Sequence, residues 1–337
     1  MPEASDVVEL TARLMEIDST SGQEGPCVDW LESYLAGADW SVRRIPVTPG
    51  RDDLLATASR EPLVTLSTHL DTVPPYIPPR LDGDRLWGRG ACDAKGIAAA
   101  MIFAAERLRA RGVPVALLFV VGEEVTHDGA EAANLVSTTS TILINGEPTE
   151  STLAIGTKGA MRFTLRTRGE AAHSAYPQLG RSAITSLVHL LREMENLDLP
   201  RDDQLGETTI NIGVISGGIA DNVMAPEAEA RLMARLVSPP DVLTSLLRDW
   251  VGGRAELETG ITVALARLGT LPGFPTSVAA YATDIPKLSS WGRPYLFGPG
   301  SIHVAHRDDE HIELSELRAA VDAYVRIADE ALRGTHL

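Results

Sequence analysis

Two glutamates, Glu123 and Glu124, stand side by side in 117-LLFVVGEEVTHDG-129, directly after five apolar residues and a glycine. Like charges that close raise each other's pKa and cost folding energy; a surface turn would tolerate the pair at little cost, whereas a metal site would require it. Other residues of the first half share this placement. His69 and Asp71 close the apolar run 63-LVTLSTHLD-71, Glu147 closes 141-TILINGE-147, and Asp93 ends a glycine-rich loop just before a helix. Singly, each has an ordinary explanation: Asp93 as a helix cap, Glu147 as a solvated strand end, His69 as a satisfied core histidine. Jointly, histidine and several carboxylates make the ligand set of hydrolytic zinc. In 69-HLD-71 the strand period of two puts both side chains on one face, which lets Asp71 hold the imidazole's other N–H and fix its tautomer. A second source of histidine, with His303 and His306, lies in 298-GPGSIHVAHRDDEHI-312.

The elements that position these residues alternate. Residues 6–36 read as two helices around the loop 18-DSTSGQEG-25, with Ser21 as an N-cap, and 41-SVRRIPV-47, 53-DLLATA-58 and 63–71 read as strands. A Pro- and Gly-rich loop leads to an alanine-dense helix over 96–110, and strands at 115–121 and 141–147 follow. Continuous apolar strands separated by helices predict an α/β domain with a mostly parallel sheet covered on both faces. Ligands of such a sheet gather at the carboxyl ends of its strands. Past residue 158 the pattern changes: 160-AMRFTLRTRG-169 alternates apolar and polar residues, 181–197 is an amphipathic helix, 208–218 and 227–237 are strands, 240–251 a helix, and 261–268 a strand. That β-α-β-β-α-β order predicts a two-layer α+β, ferredoxin-like domain over 159–271, inserted into a discontinuous domain of residues 1–158 and 272–337.

With 337 residues the chain has room for two cores. Forty-six acidic residues against thirty basic ones give a net charge of -16, with no Lys/Arg run, which argues against nucleic acid and anionic membranes as partners. No apolar run reaches the roughly 20 residues of a membrane span, and the acidic start lacks the basic, then apolar order of a signal peptide, so a cytoplasmic protein is expected. Cys27 and Cys92 read as free buried thiols. His127, in 125-VTHDG-129, reads as an exposed loop residue.

Seven motifs in order resemble the dinuclear-zinc amidohydrolase and peptidase family that contains acetylornithine deacetylase, succinyl-diaminopimelate desuccinylase, aminoacylases and glutamate carboxypeptidases. They are His69 with Asp71, the loop 88-GRGACDAKG-96, the pair Glu123–Glu124, Glu147, 172-AHS-174, the turn 217-GGIADNVMAP-226 and the segment 305-AHRDDE-310. The resemblance covers nearly the whole chain and implies two divalent metal ions, zinc foremost and cobalt as the alternative. It implies that Asp93 bridges them, that His69 and Glu147 complete one site and Glu124 and His306 the other, that Glu123 is the general base, and that the Asp93–Ala94 peptide is cis. His306, not His303, has the following D-E at the family's interval. The resemblance further implies that the inserted domain is a lid and the dimerisation surface of a homodimer, with His173 at the oxyanion of the partner's substrate and Asn222 near the substrate.

The expected activity is removal of an acyl group from the amine of an amino acid, as in acetylornithine deacetylase or the desuccinylase, with an N-acyl amino acid as substrate. Desuccinylases carry an arginine pair after the hinge strand, where this chain has only Lys158 in 155-IGTKGAM-161, which weakens the case for a tricarboxylate. Three alternatives stand: a dipeptidase or carboxypeptidase on the same metals, a hydrolase releasing lysine or ornithine from an acidic carrier protein, which a chain at -16 should repel, and a catalytically silent binding relative. The presence of a base beside the ligands argues against the last.

Overall fold

The computed structural model describes residues 6–334. The chain forms two compact units: the residues up to Ile155 with Arg267–Ser277 and those from Thr283 onward, and Gly156–Ala266 with Val278–Ala282. Relative to the sequence expectation, residues 156–158 and 278–282 move to the second unit and 267–271 to the first. One of these borders falls inside the strand Leu153–Thr157, where no break in composition marks it.

The first unit begins with helix α1 (Val7–Met15), capped by the Asp6 carboxylate, which accepts from Glu9 N at 2.9 Å. Helix α2 (Gly25–Gly37) follows; its N-cap is Glu24, and Ser21 caps nothing there. Strands β1 (Ser41–Thr48), β2 (Arg51–Thr57) and β3 (Val64–His69) lead through a long loop to helix α3 (Lys95–Ala110). Then come β4 (Val115–Val120), the short helix α4 (Asp128–Ala133) and β5 (Ile142–Asn145). Every residue of β3, β4 and β5 is buried, as their unbroken apolar character predicts.

The second unit carries β6 (Gly159–Arg168), α5 (Ala183–Met194), β7 (Thr209–Gly217), β8 (Glu227–Leu236), α6 (Pro240–Val251) and β9 (Glu256–Val263). Its sheet runs β7-β8-β6-β9, antiparallel throughout, which is the ferredoxin-like order for this connectivity. Alternate residues of β6 and β8, among them Phe163, Leu165 and Leu232, meet Leu187, Leu191, Leu243 and Leu247 of the two helices. The last strand starts five residues earlier than the apolar alternation of 261–268 suggests, because β9 pairs with β6 through Glu256, Leu257, Glu258 and Thr259 before that stretch begins.

The chain returns to the first unit with β10 (Arg293–Leu296) and the closing helix α7 (Leu314–Gly334). The sheet order is β1-β2-β4-β3-β5-β10. Pairs β3/β4, β3/β5 and β5/β10 are parallel, while β1 and β2 form an antiparallel edge. Leu54, Leu66, Leu117 and Phe119 face α1, α2, α3 and α7, whereas Leu55, Leu118 and Leu143 face α4 and Trp291. Truncating a residue such as Phe119 to alanine costs about 3–5 kcal/mol in a core of this kind. Because β4, β3 and β5 are adjacent, the residues just past their carboxyl ends share one edge of the sheet. Among the described residues no helix is long and apolar enough to cross a membrane.

Candidate metal centre

His69 ends β3, fully buried. Its Nδ1 lies 2.9 Å from the main-chain oxygen of Asp71 and 3.6 Å from Asp71 Oδ1. The sequence expectation that the Asp71 carboxylate holds the ring is thereby modified: the nearest acceptor is the carbonyl. The carboxylate is committed elsewhere, accepting from Glu123 N (3.0 Å), Glu124 N (3.2 Å) and the Ser21 hydroxyl (2.8 Å). Asp71 therefore pins the turn that presents the glutamate pair. Burial works against its ionisation, but His69 and these donors hold its pKa below the usual carboxylate value.

Asp93 joins the two histidine sources. Its Oδ1 lies 3.1 Å from His69 Nε2, and its Oδ2 lies 3.3 Å from His306 Nε2. It does not cap α3, whose N-cap is Ala94 and carries no side-chain hydrogen bond. The Asp93–Ala94 peptide is cis, as the resemblance implies. Glu147 is buried, not solvated, with Oε2 4.0 Å from His69 Nε2. Glu124 approaches His306 Nε2 at 3.0 Å. His306 is half exposed, with φ at 65°, and it turns its ring to the acids, while the exposed His303 donates from its backbone N–H to Ser301 Oγ.

Among the described residues three overlapping groups, His69–Glu123–Glu147, His69–Asp93–Glu124 and Glu123–His127–Asp284, each bring one ligand atom per residue within 4.8 Å of one another. Burial first, and then neighbouring acids, raise the pKa of Glu123, Glu124 and Glu147. Burial pulls the His69 imidazolium down, but Asp71 and Asp93 push it well above the ordinary histidine value. Buried lone-pair atoms that converge and repel in this way fit divalent cations, and the nitrogen and oxygen donors suit zinc.

The loop that delivers Asp93 is held by a residue for which sequence reasoning proposed no role. Glu310 is buried; its Oε1 accepts from Gly90 N (2.9 Å), Cys92 N (3.3 Å) and Asp93 N (3.3 Å), and its Oε2 pairs with Arg89 Nη1 at 2.7 Å. Pairing of His311 and Ile312 with Trp87 and Leu86 sets the two segments side by side. Cys92 is a buried, unbridged thiol, as read.

His127 corrects the sequence reading: it is buried, not exposed. The turn from Gly122 folds back, His127 N donating to Gly122 O at 2.8 Å, with His127 in the left-handed region at φ 57°. The ring is thus turned inward, where Nδ1 lies 2.8 Å from Asp284 Oδ1 and 3.8 Å from Glu123 Oε1. Its spacing four residues after Glu123 was the available signal, and a short helix would have shown it; Asp284 gave none.

The second unit holds the remaining candidates. His173 and Asn222 are both exposed and are brought together by a bridge between His173 and Val223, with Ser174 N donating to Asn222 O at 2.9 Å. Lys158 donates from Nζ to the Glu207 carbonyl at 2.6 Å.

Comparison with known proteins decides the family. A peptidase M20 domain-containing protein of Schizosaccharomyces pombe is 38% identical over 99% of this chain and 86% of its own length. The chain belongs to the M20 peptidase family. A family model described as a peptidase dimerisation domain matches residues 155–254. A second relative, a probable carboxypeptidase of Aspergillus fumigatus, is 35% identical over 98% of this chain and 87% of its own length. Among solved structures, an M20 family metallo-carboxypeptidase from Sulfolobus solfataricus superposes with a TM-score of 0.76, covering 98% of this chain and 99% of that one, at 16% identity, a likeness of fold. As an M20 member the protein is a metallohydrolase acting on amide bonds.

Proposed function

We propose that this M20 protein hydrolyses the amide linking an acyl or peptidyl group to a terminal amino acid, with Glu123 as general base. The observation that carries the reading is Asp93, whose two carboxylate oxygens face His69 and His306 separately. Asp93 with His69 and Glu147 would hold one divalent cation, and Asp93 with Glu124 and His306 a second, zinc foremost and cobalt as the substitute. Bound there, the cations supply Lewis-acid charge that activates water and polarises the scissile carbonyl. Glu123, fixed by its backbone to Asp71, takes the proton of the attacking water on a carboxylate oxygen and passes it to the leaving amine. Its raised pKa suits an acid that must hold that proton between the two transfers.

For the substrate, the carboxypeptidase names of relatives spanning nearly all of the chain favour a peptide cleaved at its terminal residue. An N-acyl amino acid is the second reading, since it presents the same amide beside the same free carboxylate. Asn222 and Lys158 are assigned to substrate contacts, and His173 of the partner subunit to the oxyanion. A homodimer through the second unit is supported by its edge strand β7, which exposes Val214 and Ile215. A screen of zinc- and cobalt-loaded enzyme against dipeptides, longer peptides, and N-acetyl and N-succinyl amino acids tests the assignment. Release of amino acids from peptides but not of acetate or succinate selects the exopeptidase, the reverse selects the deacylase, and no hydrolysis of any of them removes both.

A further inference from the structure

The base is left without a hold on its carboxyl end. Among the described residues no hydrogen bond reaches the Glu123 carboxylate, and the one basic nitrogen within 4.0 Å of it is His127 Nδ1, at 3.8 Å. That same nitrogen lies 2.8 Å from Asp284 Oδ1. Both acids therefore face one edge of the imidazole, and a movement of about 1 Å in Glu123 brings Oε1 into hydrogen-bond range of the Nδ1 proton. Nothing in this arrangement is loosely built. His127 is buried at the start of α4, Asp284 is buried, and Trp291 Nε1 donates to Ala133 O at the far end of that helix. Arg51 fixes the preceding turn, joining Asp128 at 2.7 Å to the buried Glu24 at 3.0 Å. Gly122, where the turn starts at φ 76°, has no room for a Cβ, which would fall 2.2 Å from Asp128 Oδ1. The ring edge is thus held at one place beside the base by contacts that include none of the metal-site residues.

We propose that His127 is a positioning residue: its Nδ1 proton, donated to Asp284 Oδ1, is shared with the Glu123 carboxylate as a second acceptor on the same ring edge, which holds that carboxylate in the rotamer from which it exchanges protons with water and leaving amine. The proposal rests on Glu123 being the base. Two substitutions separate it from a merely structural role, because both tolerate the left-handed backbone at residue 127. His127→Gly removes the donor, whereas His127→Asn retains an N–H at nearly the position of Nδ1.

The test compares wild type, H127G, H127N and E123Q as full-length, zinc-loaded enzymes on one substrate cleaved by wild type, with metal content measured in each. H127G is expected to lose about 10–100-fold in kcat with KM changed less than about threefold, since a misplacement near 1 Å has that cost. H127N is expected to recover most of kcat, and both are expected to keep the wild-type metal content. In 15N-histidine-labelled protein, a downfield Nδ1–H resonance assigned to His127 is expected, and it is expected to disappear in Asp284→Ala. The proposal is overturned by an H127G kcat within about twofold of wild type while E123Q is inactive. It is equally overturned by a H127N as impaired as H127G, by a loss confined to KM, or by loss of a bound metal from H127G. An active E123Q would instead overturn the assignment of the base.

Discussion

Replacing Glu310 by glutamine leaves the shape of the side chain and one carbonyl oxygen but removes a buried charge. In the wild type that charge answers Arg89, whose side chain is 1% exposed and whose Nη2 has no hydrogen-bond partner among the described residues. Burial raises the Glu310 pKa, nearby Asp93 raises it further, and Arg89 opposes both, so the pair is only partly compensated. Removing one member of such a pair strands the other, at a cost of about 3–5 kcal/mol, whereas replacing both by apolar groups is near neutral. E310Q keeps an acceptor for the Gly90, Cys92 and Asp93 amides, so the lower end, about 3 kcal/mol, is expected for the metal-free protein. Loosening of the Asp93 backbone adds a second effect, a loss of about 10–100-fold in metal affinity, as is usual when a ligand's supporting contacts are removed. Guanidinium unfolding of the metal-free chain and competition with a chelator measure the two. In the double variant R89M/E310Q the stability loss should be smaller than the sum of the single losses. A loss under about 1 kcal/mol with unchanged metal affinity would refute the reasoning, since an exposed pair behaves that way and a buried clamp does not.

Other consequences concern charge and the second unit. Burial raises the pKa of Asp53 to about 8, so between its ordinary 3.8 and that value the folded state holds a proton that the unfolded chain has released. Stability should therefore fall across this window by up to about 1.4 kcal/mol per pH unit, and Asp53→Asn should match wild type near the acid end and exceed it at the alkaline end; parallel slopes in denaturation at several pH values would count against this. His306, hydrogen-bonded to Asp93 and Glu124, has its pKa raised from 6.5 to about 10 in the metal-free chain. Its contribution to stability is full below 6.5 and is lost as pH rises through about 10, and metal binding near neutrality should release its proton. Calorimetry of metal binding in buffers of different ionisation enthalpy reads that release, and identical heats would exclude it. His173→Ala should lower kcat by about 100-fold or more with metal content intact, and an unaffected kcat would remove it from the oxyanion.

What was legible in the sequence follows from how each residue acts. His69, Asp93, Glu123, Glu124 and Glu147 stand at strand ends or a loop end, where side-chain chemistry alone makes them conspicuous, and the fold does bring them to one edge. His306 lies 182 residues from Glu124, and only the resemblance joined them. The order of the inserted sheet was readable because alternation and amphipathicity have different periods, while β9 was misplaced because its first half, Glu256–Thr259, is largely polar and exposed. Supporting residues were the hardest to see. Glu310 acts through main-chain amides, which leave no mark on the residues they belong to. Asp71 stands beside the imidazole as read, but its carboxylate also anchors the glutamate turn, through a fold-back that spacing does not encode. His127 looked like a loop residue because its burial depends on one left-handed turn.

The most direct measurement of the central claim is the metal content and hydrolysis rate of Glu123→Ala beside wild type, on the best substrate of the screen. Two divalent ions per chain in both proteins, with a rate lower by about 10²–10⁴ in the variant, is the expected result. An unchanged rate, or a wild type that binds no divalent ion while still cleaving the amide, would contradict it.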